Sequence, residues 1–325
     1  MFQLYRQVCM ESSKLITQRY STSFSLGIRV FDKRFRDPIY AIYGFVRFAD
    51  EIVDTFHDYP KAELLARFWQ DTYRAIEEGI SLNPVLQSFQ EVVNKYNIER
   101  ELIDAFLKSM EMDLHEQSYD QAGYEEYIYG SAEVVGLMCL RVFCEGDNER
   151  YESLKASACS LGSAFQKVNF LRDLKSDFDD RGRVYFPGVD FTRFTAEDKE
   201  KIEADIRADF DHAYEGIIRL PEGARFGVYL AYVYYLNLLK KNPETMIAGR
   251  SVSEILKRFE TKIKDPRQAH RGKKVSKIIK SFLKIKCPIN KAAEVLNKFF
   301  KKNRINLAVD QKYFPISNNK ISKLN

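Results

Sequence analysis

Asp37-Pro38-Ile39-Tyr40-Ala41-Ile42-Tyr43-Gly44-Phe45-Val46-Arg47-Phe48-Ala49-Asp50-Glu51-Ile52-Val53-Asp54 places its apolar residues at three- and four-residue intervals, the period of an amphipathic helix. Asp37 reads as an N-cap and Pro38 as a first-turn residue, which predicts a helix that starts there and ends near residues 57–60. The same period marks residues 62–78, 99–116, 124–143, 150–177, 196–217 and 227–241, with no βαβ alternation between them. An all-α fold follows. Residues 178–194 break the period with Asp179-Asp180-Arg181-Gly182-Arg183 and Pro187-Gly188 and are expected to form a loop.

The chain has 325 residues, 45% of them hydrophobic, enough for one large domain or two ordinary ones. No unbroken apolar run approaches 18 residues, and the first residues lack the pattern of a secretory signal, so a cytoplasmic protein is expected. The cysteines, Cys9, Cys139, Cys144, Cys159 and Cys287, are five in number and scattered, which suits a reducing compartment and neither a disulfide framework nor a zinc site. Net charge is +5, with lysine and arginine crowded into residues 257–302. Residues from about 310 onward are polar and are expected to fray.

Asp50 and Asp54 on the first helix, and Asp173 and Asp177 on a later one, each stand at i, i+4. Two carboxylates so placed share a face about 6 Å apart and oppose helix formation by a few tenths of a kcal/mol. A solvated acidic face would tolerate one such pair. Helical steps extend the first face to Tyr43 and Arg47 and the second to Gln166 and Asn169, polar stripes set among Ile42, Phe45, Val46, Phe165, Val168 and Phe170. Two polar stripes between apolar flanks point to an interior cavity, where carboxylates require cations. Magnesium suits an oxygen-only donor set that binds phosphate; Arg47 and Arg172 offer neutralisation without a metal.

Four blocks in this order resemble the squalene and phytoene synthases: Tyr20-Ser21-Thr22-Ser23-Phe24; Ala41-Ile42-Tyr43-Gly44-Phe45-Val46-Arg47 running into Asp50-Glu51-Ile52-Val53-Asp54; Tyr127-Ile128-Tyr129-Gly130-Ser131-Ala132-Glu133-Val134-Val135-Gly136; and Gln166 to Asp177 followed by Arg181-Gly182-Arg183-Val184-Tyr185-Phe186-Pro187. The resemblance spans residues 20 to about 250. It implies a single-domain helical bundle of the isoprenoid synthase type around a deep central cavity, over residues 1–290, with a basic extension at 291–325. It implies Mg2+ held by Asp50, Asp54, Asn169, Asp173 and Asp177. Ser21, Ser23, Tyr43, Arg47, Gln166 and Arg250 match positions around the substrate diphosphates, and Tyr127, Tyr185 and Tyr234 match tyrosines near the reacting centre and flap. Tyr20 departs from the histidine that many relatives carry before Ser-x-Ser.

These residue types fit the chemistry that the resemblance implies. Ionisation of an allylic diphosphate calls for magnesium, arginine and hydroxyl donors at the leaving group and an apolar, aromatic pocket for the carbocation. The expected reaction joins two geranylgeranyl diphosphates head-to-head into phytoene through a cyclopropyl diphosphate. Alternatives are a C30 synthase using farnesyl diphosphate to make dehydrosqualene or squalene, a terpene cyclase, and a non-catalytic helical interaction protein of the same fold. No G-x-G-x-x-G follows a strand, so a reductive finish to squalene is less favoured. Gly130, Ala132 and Gly136 either make room for a prenyl chain or allow close packing. The Arg181-Gly182-Arg183 segment is a phosphate flap or a solvated loop. Residues 274–302 either contact an anionic membrane surface or pack on the bundle, and no motif supports nucleic-acid binding. The sequence carries no signal for an oligomeric state.

Overall fold

Burial of Phe35 decides where the helix carrying Asp50 and Asp54 begins. The computed structural model describes residues 1–115, 119–181, 186–187 and 195–241, with the backbone alone at 22, 23, 26, 173–181, 240 and 241. The chain runs through α1 (Phe2–Tyr20), α2 (Thr22–Val30), α3 (Lys33–Thr55), α4 (Lys61–Glu78), α5 (Pro84–Tyr96), α6 (Arg100–His115), α7 (Gln121–Ile128), a π-helical turn (Tyr129–Glu133), α8 (Val134–Cys144), α9 (Asn148–Arg181), α10 (Ala196–Ile217) and α11 (Glu222–Lys241). No strand occurs among the described residues.

Asp32, not Asp37, is the N-cap of α3, and Pro38 lies inside the helix. Phe35 is completely buried, its ring 5.5 Å from that of Phe143, and this burial draws residues 33–36 into the helix. Pro38 is itself buried there, and its missing N–H leaves the Arg34 carbonyl without the usual helical donor. Asp32 is tied across the bundle by its N–H, which donates to the Gly223 carbonyl at 2.9 Å.

The core forms where α3 to α6 meet. The ring of Phe45 stacks on Phe89 at 3.8 Å and lies 5.5 Å from both Phe68 and Phe106, so four helices each contribute one aromatic ring. Helix α5 opens with a cap that the periodicity alone did not mark: Asn83 Oδ1 accepts from Val85 N–H at 3.0 Å, and Pro84 occupies the first turn. Helix α1 was likewise unmarked.

The predicted helix 124–143 is interrupted by the π turn, a feature that clusters at functional sites. A Cβ at Gly130 would lie 2.7 Å from Ser109 Cβ, and one at Gly136 would lie 3.2 Å from the Ala158 carbonyl oxygen. Both glycines therefore allow close helix packing. Gly162 does the same for α9, where a Cβ would meet Ala132 O and Glu133 Cα at 2.8 Å. The stretch Gln121–Cys144 is long and apolar enough to cross a bilayer, but more than half of its apolar window is buried in the bundle, the mark of a core helix.

Helix α9 continues to Arg181, so residues 178–181 are helical where a loop was expected. Lys167 Nζ pins it to α10 through Asp205 Oδ2 at 2.5 Å and Asp209 Oδ2 at 2.8 Å. The described residues fall within one unit, Met1–Met246. Tyr185, the Gly182-Arg183 pair, Arg250, the basic segment 274–302 and the boundary at 290 lie outside the described residues.

Candidate active site

Arg47 organises the first acidic stripe. Its guanidinium pairs with Asp50 and, at 2.6 Å, with Glu51 Oε2, and it rests 4.3 Å above the ring of Tyr20. Its Nε is buried without a hydrogen-bond acceptor among the described residues, which leaves a donor for an anionic ligand. One arginine does not satisfy the acids. Burial first, then the charge of Asp54, pushes the Asp50 carboxyl up to about 7 despite Arg47, and Asp113 and Glu51 add to the shift. On this stripe neutralisation by Arg47, one of the two arginines that the sequence offered for it beside Arg172, is therefore incomplete.

Asp113 reaches the site from α6. It accepts a hydrogen bond from the Tyr127 hydroxyl at 3.0 Å, and the buried Tyr127 ring stacks 5.0 Å from Tyr119 and 6.0 Å from Phe170. Phe186, buried, lies 6.1 Å from Phe170 and 5.9 Å from Tyr124. These rings make an apolar aromatic wall beside the acids.

On α9, Gln166 Nε2 donates to Ser131 Oγ of the π turn at 3.2 Å, and Asn169 Nδ2 donates to Gln166 Oε1 at 3.4 Å. The two stripes meet at Tyr235 of α11. Tyr235 stacks on Phe165 at 4.0 Å, has the Asn169 side chain as a hydrogen-bonding neighbour and lies within electrostatic reach of Tyr43 and Arg172. Burial pushes its hydroxyl up to about 12, against the opposing effect of Arg172. Phe24 links Tyr43 and Tyr235, at 5.5 and 6.3 Å between ring centroids.

Ser21 caps α2, its Oγ accepting from Phe24 N–H at 3.2 Å. The side chain of Ser23 lies outside the described residues, as do those of Asp173 and Asp177, whose backbones lie on α9. Tyr234 is 37% exposed, whereas its neighbour Tyr235 is buried against the stripes.

Among the described residues no group of three or more His, Cys, Asp or Glu side chains is close enough to hold an ion alone. The donor set nonetheless fits a hard cation shared with a phosphate ligand. Asp50 is driven toward protonation by burial and then by its acidic neighbours, and Asn169 Oδ1 is buried without a hydrogen-bond partner among the described residues.

Sequence reasoning missed Asp113, Ser131 and Tyr235. Asp113 had a readable signal: it extends the buried stripe Ile103, Phe106 and Met110 at i, i+3, i+7 and i+10, an acid where a core residue belongs. Tyr235 had none, because Tyr234 and Tyr235 are alike until the helix is rotated into place.

The squalene/phytoene synthase family model matches residues 17–246. The presqualene diphosphate synthase of Rhodopseudomonas palustris is 30% identical over 190 residues, covering 57% of this chain and 65% of that protein. The chloroplastic phytoene synthase 1 of Solanum lycopersicum is 26% identical over 245 residues, 69% of this chain and 58% of that one. The chain thus spans roughly three fifths of these relatives' length. A squalene synthase structure from Alicyclobacillus acidocaldarius superposes with a TM-score of 0.64 at 20% identity, covering 73% of this chain and 94% of that one, which establishes the all-α isoprenoid synthase fold. With most of its helical body inside the family match, the chain belongs to the squalene/phytoene synthase family.

Proposed function

We propose that the protein condenses two prenyl diphosphates head-to-head, and that its substrate is geranylgeranyl diphosphate and its product phytoene. The observation that supports this most is Tyr235, whose surroundings include Tyr43 of one polar stripe and Asn169 and Arg172 of the other, so that both stripes address one interior space. Asp50, Asp54, Asn169, Asp173 and Asp177 would hold Mg2+, which supplies Lewis-acid stabilisation of the departing diphosphate.

The chain's own groups do the rest. The unpaired Nε–H of Arg47 binds a diphosphate oxygen, and the Gln166 amide, held by Ser131, orients the same headgroup. The first substrate loses its diphosphate, and the resulting allylic cation is attacked by the double bond of the second substrate. A proton leaves and a cyclopropyl diphosphate forms. Loss of the second diphosphate, ring rearrangement and loss of a second proton give the hydrocarbon. The wall of Tyr119, Tyr124, Tyr127, Phe170 and Phe186 excludes water and faces the cation with aromatic π-density. Tyr127, its hydroxyl hydrogen-bonded to Asp113, can relay the departing proton.

A C15 reading, two farnesyl diphosphates joined into a C30 product, is favoured by the 30% identity to a presqualene diphosphate synthase. Incubation with each diphosphate, with magnesium or with chelator, decides between them. Magnesium-dependent phytoene supports the C20 reading. A C30 product keeps the mechanism and changes the substrate, and no hydrocarbon from either overturns the enzymatic reading in favour of a non-catalytic relative.

A further inference from the structure

Helix α3 ends just beyond its acids. Asp50, Glu51 and Asp54 lie in its last two turns, and the last turn holds no basic residue. The carboxyl end of a helix carries the negative pole of its dipole, so acids are disfavoured there and a cation is favoured.

The chain leaves α3 by a tight turn that strips the helix of a hydrogen bond. The His57 N–H, which a continued helix would give to the Val53 carbonyl, donates instead to the Thr55 carbonyl at 2.9 Å. Lys61, the first residue of α4, takes its place: Nζ donates to Val53 O at 2.8 Å. His57 Nδ1 lies 3.2 Å from the same nitrogen and gives the ammonium a second anchor. Lys61 forms no ion pair among the described residues, so its charge is left for the end of α3. The Val53 carbonyl belongs to the same planar peptide unit as the Asp54 N–H. With the Val53 side chain only 3% exposed in the core, the bond from Lys61 fixes the plane from which Asp54 projects.

We propose that Lys61 is a positioning residue for the first acidic stripe: its ammonium closes the last turn of α3, holds the backbone that carries Asp54 and offsets the negative charge gathered at that end of the helix. The inference rests on the reading of Asp50 and Asp54 as groups that bind magnesium and diphosphate. It gives α4, which otherwise supplies Leu65 and Phe68 to the core, a part in the site.

Isothermal titration calorimetry of the full chain with inorganic pyrophosphate and magnesium reads the site without turnover. Lys61→Met keeps the aliphatic stem and should weaken this binding about three- to tenfold, the range for a charge at a helix end that also orients a metal ligand. Lys61→Arg keeps the charge and the donors and should bind within about twofold of the unaltered chain. In hydrogen exchange, peptides covering residues 50–56 should exchange faster in K61M and not in K61R. In turnover, the loss in K61M should fall on the magnesium requirement, with kcat at saturating magnesium nearly unchanged. The proposal fails by itself if the unaltered chain binds magnesium pyrophosphate and K61M binds it equally well, even with a lower metal-free thermal midpoint, or if K61R loses as much as K61M. An unaltered chain that binds no magnesium pyrophosphate overturns the reading of the site and this inference together.

Discussion

The Tyr127 hydroxyl donates to Asp113 Oδ2 at 3.0 Å, joining α7, which carries two rings of the aromatic wall, to a carboxylate within electrostatic reach of Asp50. Asp113 thus acts on both the acidic stripe and the wall. Asp113→Asn should lower turnover about 10- to 100-fold, the usual effect of removing a partner just behind a metal site, with the fold intact by circular dichroism. An increased magnesium requirement should accompany it. Unchanged magnesium dependence and turnover would remove Asp113 from the site.

Stability should fall with pH when metal is withheld. The folded Asp50 carboxyl titrates at about 7, above its ordinary 3.8, so the fold favours the protonated acid. That contribution is complete below about pH 4 and is lost as pH rises through 7. In chelator the thermal midpoint should therefore decline between pH 5 and pH 8, magnesium should restore it at pH 8, and Asp50→Asn should flatten the profile. A midpoint that rises over this range, or a variant with the same slope as the unaltered chain, would contradict the assignment.

Arg47→Lys removes a planar fork that serves Asp50 and Glu51 at once and keeps a spare Nε donor. Lysine retains the charge but not the geometry. The expected result is a rise of about tenfold or more in KM for the diphosphate substrate. Tyr20→Ala, which removes the ring beneath the guanidinium, should cost about two- to fivefold, consistent with ~0.5–1 kcal/mol for a partly exposed cation–π contact. Equal effects from the two substitutions would argue against the division of roles.

Tyr234 and Tyr235 should separate cleanly. Tyr235→Phe loses the hydroxyl neighbouring Asn169 and should reduce kcat/KM about three- to tenfold, the range of one ordinary hydrogen bond. Tyr234→Phe, at an exposed position, should behave as the unaltered protein. The reverse order in a steady-state assay would return the site role to Tyr234.

Gly162→Ala tests the packing of α9 on the π turn. Its Cβ would meet the Ala132 carbonyl and Glu133 Cα at 2.8 Å, and backbone atoms cannot step aside as a flexible side chain can. A loss of about 1–3 kcal/mol in urea unfolding is expected. A variant as stable as the parent would show that α9 has room to shift.

Much of this architecture is legible along the chain, because helical periodicity and polar interruptions of apolar stripes are local properties. Residues 196–217 were bounded as observed, and Tyr43, Arg47, Asp50, Gln166 and Asn169 could be singled out before any contact was known. Helix α1 escaped notice because Leu4, Val8 and Leu15 face outward while Ser13 and Thr17 are buried, which blurs the usual pattern. The Asp37-Pro38 pair misled for a different reason: a cap preference of about 1 kcal/mol yields to the burial of Phe35 one turn earlier.

The sequence by itself determined the helical class, the positions of the two acid-bearing stripes and the family to which they point. Only the tertiary structure decided that Asp113 joins the acids, that Tyr235 rather than Tyr234 stands between the stripes, and that Gly130 and Gly136 serve packing. The reason is physical. A stripe is set by residues three or four apart on one helix, whereas a carboxyl raised to about 7 or a tyrosine shared by two helices depends on which helices meet, in what rotation and how much water they exclude.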